Sequence, residues 1–260
     1  MRPAFSFLLL LSSSSALAWG PEGHSLVARL AAAHLTPAAA ARVKEILGPD
    51  VTMASIASWA DQIRNARRET SPWHFVDIPI SEKHLDMARD CAKHDCVIAK
   101  IGDFRKTLAD PATDPVQRKE ALMFLVHFIG DMHQPLHCAD NKDRGGNDVK
   151  VDLFGRATNL HSTWDSGLLS RLPAEDTQFE ELSRDLTPHH AHKWGKGSVA
   201  DWAEESHKAA VKIVYGKLPQ PQDGVIKING QYERLADPVI RKQIEHAGAR
   251  LAAVLNATLK

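Results

Sequence analysis

The chain has 260 residues, long enough for one sizeable domain, and 43% of them are hydrophobic. Its 32 lysines and arginines balance its 32 aspartates and glutamates. That balance excludes the broad basic field that draws nucleic acid non-specifically, so any phosphate recognition has to be local.

At the N-terminus, Arg2, the apolar run from Phe5 to Leu11 and the triplet Ala16-Leu17-Ala18 have the order of an export signal cleaved before Trp19. Residues 1–18 are therefore expected to be removed, leaving residues 19–260 as one secreted or periplasmic domain. No membrane attachment is expected after that cleavage, because no later run approaches the roughly 18 apolar residues of a span. Most of the remainder carries a 3.6-residue apolar period, which makes the fold class all-α. Thr36-Pro37 reads as the cap and first residue of a helix through "AAAARVKEIL", and Asp114-Pro115 opens the stretch to Met132 in the same way.

Cys91 and Cys96 are spaced to close a small disulfide loop in an oxidising compartment, which leaves Cys138 as a buried free thiol or, beside His137, a metal thiolate. Only "VKVDLF", residues 149–154, alternates like a strand, suggesting a small β-hairpin near 147–156 beside Gly145-Gly146. Ile240, Ile244, Ala247, Leu251 and Leu255 draw one stripe along a C-terminal helix.

Chemistry concentrates in "EALMFLVHFIGDMHQPLH". Residues 122–132 are apolar on almost every side, as in a buried helix, yet His127 and Asp131 lie one turn apart on one face. A buried ionised carboxylate needs strong compensation, either a hydrogen-bonded histidine or a divalent cation that uses the histidine too. The spacing recurs in "NLHSTWD", where His161 and Asp165 are again four apart, with Leu160, Trp164 and Leu168 on the opposite side. His137 follows Pro135, where the helix should stop, and can point back to the same space. Asp61 in "SIASWADQIR" and His74 in "SPWHFVD" are further polar groups in aromatic, apolar surroundings, and His24 stands five residues beyond Trp19. Imidazoles and carboxylates without thiolates suit zinc with an open position for water. The candidate side chains outnumber what one tetrahedral ion takes, which points to a polynuclear hydrolytic site acting on phosphate.

In this order the motifs "WGPEGH", "IASWADQIR", "WHFVDIP", "RDC…C", "FLVHFIGDMHQPLH", "GGN" and "NLHSTWD" resemble the zinc-dependent single-strand-specific nucleases and 3′-nucleotidases of the S-one/P-one type, from Trp19 to about Leu169. The resemblance implies three Zn²⁺ ions. Asp61, His74, His127 and Asp131 would hold the first, and His137, His161 and Asp165 the second. His24, a bridging Asp131, and the amine and carbonyl of Trp19 would hold the third. It further implies a basic residue at Arg64 near the phosphate, base stacking at Phe75, base hydrogen bonding at Asp77 and a rim position for Asn147. The implied substrates are single-stranded DNA, RNA and 3′-nucleotides, hydrolysed to 5′-phosphate products by metal-activated hydroxide with Asp61, Arg64 and Asp131 in catalytic roles. A monomer is expected.

Two other readings compete. Zinc-dependent phospholipase C shares the helical fold and the three-zinc arrangement but usually offers glutamate as its last ligand, and a non-catalytic exported zinc-binding protein would have no use for Phe75 or Asp77. His133 lies between candidate ligands but points elsewhere on helical geometry, and with His189, His190 and His192 it reads as a surface histidine. Asn256-Ala257-Thr258 fits a glycosylation sequon.

Overall fold

Proline at the first helical position and a polar cap before it start several of the helices, in keeping with the sequence. The computed structural model describes residues 19–260, so the export signal expected over residues 1–18 lies outside the described residues. In chain order the helices are α1 (Pro21–Ala33), α2 (Pro37–Leu47), the short α3 (Met53–Ile56) and α4 (Trp59–Ile63), α5 (Met87–Asp90), α6 (Val97–Ala109) and α7 (Pro115–Asp131). They continue with the one-turn α8 (Leu160–Ser162), α9 (Glu175–Asp185), α10 (Pro188–Trp194), α11 (Val199–Ala209) and α12 (Gly230–Thr258). Thr36 Oγ1 accepts from Ala39 N at the start of α2, and Asp114 Oδ1 accepts from Val116 N and Gln117 N at the start of α7. Each satisfies donors that the helix itself leaves without a partner, a gain of about 0.5–2 kcal/mol per cap.

The core forms where α12 crosses α1 and α7. Ile240, Ile244, Ala247, Leu251 and Leu255 of α12 are all buried, as their stripe requires. In α7 every residue from Ala121 to Asp131 is buried, which is why that stretch shows no polar face. Phe104 of α6 stacks on Phe124 of α7 with ring centres 4.5 Å apart, and the edges of Trp59 and Trp73 close on the same ring. Full burial of Phe124 contributes about 1.5–3 kcal/mol, and Phe104, Trp59 and Trp73 are partly buried against it, so this wall is rigid by the standards of a loop-borne site.

The fold is mostly helical with one small sheet. β1 (Lys150–Leu153) and β2 (Arg156–Asn159) form the expected hairpin, but it runs on to Asn159, because Phe154 and Gly155 take φ of +52° and +91° and make a tight two-residue turn. A third strand, β3 (Ile226–Ile228), pairs parallel to β1. Three residues are too few to show an alternation, so it was illegible locally. Cys91 and Cys96 are joined, and Cys138 is free and buried, donating its thiol to Met132 O at 3.2 Å. Burial pushes that thiol far up, away from thiolate chemistry. A disulfide suits an oxidising compartment, and among the described residues no helix is long and apolar enough to cross a membrane.

Candidate metal centre

Helix α7 delivers two side chains to one point. His127 Nδ1 donates to Ala57 O at 2.7 Å; a carbonyl only accepts, so Nδ1 carries a proton and Nε2 is the nitrogen that faces inward. That Nε2 stands 3.2 Å from Asp131 Oδ2, 3.2 Å from His74 Nδ1 and 3.7 Å from Asp61 Oδ1. Asp61 comes from α4, and His74 ends a 3₁₀ turn over residues 68–74. His74 Nδ1 is in turn 2.9 Å from Asp131 Oδ2 and 3.7 Å from Asp61 Oδ1. From α1, His24 stacks on the His127 ring at 4.0 Å and brings Nε2 to 3.3 Å from Asp131 Oδ1.

A second group lies beyond the end of α7. His137 Nδ1 donates to His74 O at 2.8 Å and His161 Nδ1 to Gly145 O at 2.7 Å, so both rings carry their proton on the outward nitrogen. Their Nε2 atoms nevertheless face each other at 3.1 Å. Two neutral imidazoles in these tautomers present lone pair to lone pair, with no proton to share. Asp165 Oδ2 completes the group, 3.5 Å from His161 Nε2. His161 and Asp165 span α8 and a π-helical turn over Thr163–Gly167, a local widening that is frequent at functional sites.

These residues fit a metal. Both ring nitrogens of His24, Asp61 Oδ1, His74 Nε2 and Asp131 Oδ1 are buried without a hydrogen-bond partner, a set of defects too concentrated to be packing error. Three groups offer ligand atoms within 4.8 Å of one another: His24, His127 and Asp131; Asp61, His74 and His127; and His137, His161 and Asp165. Electrostatics agree. Burial opposes ionisation of Asp131, but His127, with the rings of His24 and His74 close by, outweighs it and holds the carboxyl well below its usual range. Burial likewise presses His127 down, yet Asp131 and Asp61 overcome it and raise the ring to about 9. Burial alone dominates at His137 and His161, holding them at about 3 and about 4, and it pushes Asp165 up. The second group is thus a pair of neutral, lone-pair-inward imidazoles beside a carboxyl, the donor set that Zn²⁺ takes.

The remaining site residues fall around this centre. Arg64 caps α4 one turn beyond Asp61, half-buried, and its charge acts on His161 and Asp165. Phe75 follows His74 in extended conformation; its carbonyl accepts from Val97 N at 3.0 Å, just past the disulfide loop, and Val76 N donates to His137 O at 2.8 Å. Asp77 reaches solvent at the rim, and crowding by protein together with the carboxylates of Asp140 and Asp90 raises it to about 6. Asn147 donates Nδ2 to Arg144 O at 2.8 Å and so closes its own loop. Trp19 is fully buried, and Gly20 N donates to Asp165 O at 2.8 Å, placing the start of the described chain beside the second group.

Sequence reasoning missed the carbonyls of Ala57, His74 and Gly145, which select the ring tautomers. For Gly145 the Gly-Gly pair was a signal: φ is +60° there, and a Cβ would stand 2.9 Å from Leu136 O. His133 does point away from the ligands, but it is not a surface histidine. It is fully buried, donating Nδ1 to Ile129 O at 2.6 Å while Nε2 accepts from Arg250 Nη1 at 2.8 Å. His189 and His192 are exposed, whereas His190 is half-buried and stacks on Trp194 at 4.6 Å. The Asn256 side chain is engaged internally, with Thr36 N and His34 O.

Comparison with known proteins agrees with this centre. The family described as S1/P1 Nuclease matches residues 19–260. Endonuclease 4 of Arabidopsis thaliana is 32% identical over 98% of this chain and 95% of its own length. Nuclease S1 of Aspergillus oryzae is 30% identical over 92% and 91% of the two chains, and Nuclease P1 of Penicillium citrinum 39% identical over 59% of each. With a helical fold and its histidines and aspartates gathered at one buried centre, the chain belongs to the S1/P1 nuclease family of nucleic-acid hydrolases.

Proposed function

We propose that the protein is an exported zinc-dependent endonuclease that cleaves single-stranded DNA and RNA to 5′-phosphate products and also acts as a 3′-nucleotidase. The observation that carries this reading is the confrontation of His137 Nε2 and His161 Nε2 at 3.1 Å beside Asp165, next to a cluster of partnerless buried nitrogens and oxygens around Asp131. Asp61, His74, His127 and Asp131 would hold one Zn²⁺, and His137, His161 and Asp165 a second. His24, Asp131 and the backbone amine and carbonyl of Trp19 would hold a third; the bond from His24 N to Gly20 O at 3.2 Å, which keeps the start of the described chain in the same turn as His24, supports that placement of Trp19. Bound zinc supplies a Lewis acid for phosphate oxygens and lowers the pKa of an attacking water.

The chain's own residues do the rest. Arg64 pairs with the phosphate and offsets charge that develops in the transition state. Asp61 and Asp131 keep the ions in register with it. Phe75 stacks on a base and Asp77 accepts a hydrogen bond from the base edge. A paired base has to leave its duplex to reach Phe75, at a cost of a few kcal/mol, which makes single strands the substrate. Asn147 borders the same rim.

The test is to strip the protein with chelator, restore zinc, and count zinc per chain beside four assays: single-stranded DNA, duplex DNA, 3′-AMP and phosphatidylcholine. The reading expects about three zincs, with single strands and 3′-AMP hydrolysed. Full activity in verified metal-free protein, or turnover of phosphatidylcholine alone, overturns it.

A further inference from the structure

Between the two ligand groups lies a residue that no reading so far uses. Gln134 is fully buried in the turn that carries the chain from Asp131 to His137. Its backbone N donates to Asp131 O at 2.9 Å, and its backbone O accepts from His137 N at 2.9 Å. The side-chain Oε1 accepts from Leu136 N at 2.6 Å, and Nε2 donates to Asp165 Oδ1 at 2.5 Å. All four bonds go to candidate ligands or to the neighbour of one.

The orientation of the amide is not free. A backbone N–H only donates, so Leu136 N fixes which end of the amide is oxygen, and the NH₂ end has to face Asp165. Asp165 is 3% exposed, so no water competes for that oxygen. The bond takes up Oδ1 and leaves Oδ2 turned toward His161 Nε2, 3.5 Å away. Side chains that hold a ligand from behind in this way tune metal affinity by about 10- to 100-fold.

We infer that Gln134 is a positioning residue that holds Asp165 by one carboxylate oxygen, presenting the other to the ion shared with His137 and His161. The inference rests on the metal centre proposed above. Through its backbone the same residue ties that position to Asp131, so the two ligand groups keep a fixed spacing.

Two substitutions separate positioning from folding. Gln134→Glu keeps the shape and the acceptor for Leu136 N but replaces the amide donor with a carboxyl that repels ionised Asp165 or has to share its proton; Gln134→Met removes both polar ends. Each variant and the parent chain would be equilibrated in zinc buffers of graded free concentration, bound zinc counted per chain, and the metal-free forms melted. Both variants should lose about 10- to 100-fold in affinity at one class of zinc site, with the other sites unchanged. The metal-free form of Gln134→Glu should still melt cooperatively, at a temperature lowered by the contact of two buried carboxyls. On an Asp165→Asn background neither substitution should weaken zinc further, because the two residues act through one bond.

Unchanged zinc binding in both variants overturns the assignment, as does a loss that multiplies with that of Asp165→Asn. Metal-free forms of both variants that no longer melt cooperatively would assign Gln134 to folding instead. A parent chain that binds no zinc removes the metal centre itself and this inference with it, whereas zinc-binding parent and unaltered variants remove Gln134 alone.

Discussion

His24 lies directly over Gly130: a Cβ at position 130 would stand 2.8 Å from His24 Nδ1 and 3.1 Å from its Cε1. In an exposed helix, alanine for glycine stabilises by up to about 1 kcal/mol. Here crowding wins, because the ring behind is buried and stacked on His127, and overpacking of that kind costs about 1–3 kcal/mol. Gly130→Ala should therefore lower the melting temperature and the zinc content together. A more stable variant with full zinc would show that His24 is not held where the ligand reading needs it.

Asp131 meets His24, His74 and His127 at 3.3, 2.9 and 3.2 Å. Asp131→Asn should be the most damaging change among the ligands, since an amide is a poor substitute at two ions at once. Zinc counted per chain should fall by more than in Asp61→Asn or Asp165→Asn. An equal or smaller loss contradicts the bridging role.

Acid and alkali should destabilise the metal-free protein through different histidines. His137 and His161 are held at about 3 and about 4 in the folded chain, below the ordinary value near 6.5. The unfolded chain therefore takes up protons first, and stability is lost as pH falls from about 6.5 toward those values. His127, raised to about 9, works the other way: its contribution is complete below about 6.5 and is lost as pH rises through about 9. Urea unfolding in chelator from pH 4 to pH 10 should show a maximum near pH 6.5. A stability that keeps rising above pH 6.5 speaks against the assignment of His127, and one that does not rise between pH 4 and pH 6.5 speaks against those of His137 and His161.

Phe75 and Asp77 offer a test of the base site that spares the metal. Removal of a stacking ring costs about 1–3 kcal/mol per base, so Phe75→Ala should lose up to about a hundredfold in kcat/KM on single strands with normal zinc content. A phosphodiester without a base should be nearly indifferent. With Asp77 raised to about 6, acceptance of a base hydrogen bond should weaken as pH falls through that value, raising KM for nucleotides. Asp77→Asn should remove that part of the pH dependence, and an unaltered KM profile in the variant excludes the contact.

The proposed role of Trp19 requires a free α-amine, whose pKa of about 7.7–8.0 allows zinc to displace its proton at neutral pH; an amide nitrogen cannot serve. A chain with one Met or Gly-Ser before Trp19 should bind about one zinc fewer than one beginning at Trp19, and should be severely impaired. Three zincs and full rate in the extended chain would leave Trp19 as a buried anchor only.

Local spacing in the sequence was enough for the helices and for the two reactive pairs. His127 with Asp131, and His161 with Asp165, stood out because a polar pair one turn apart inside an apolar run is costly unless something charged compensates it. The Cys91–Cys96 loop and the β1–β2 hairpin were likewise short-range features. What local pattern left undecided was everything set by chain path. His133 lies in the same stretch as His127, yet Arg250, 117 residues away, is what receives it in the core. Ala57 O, His74 O and Gly145 O choose the tautomers of His127, His137 and His161 across separations of 70, 63 and 16 residues. A histidine's chemistry depends on which nitrogen keeps the proton, and that is decided by whatever acceptor the fold brings to its other side. The sequence alone determined which side chains were available for metal chemistry; tertiary packing decided where their lone pairs point.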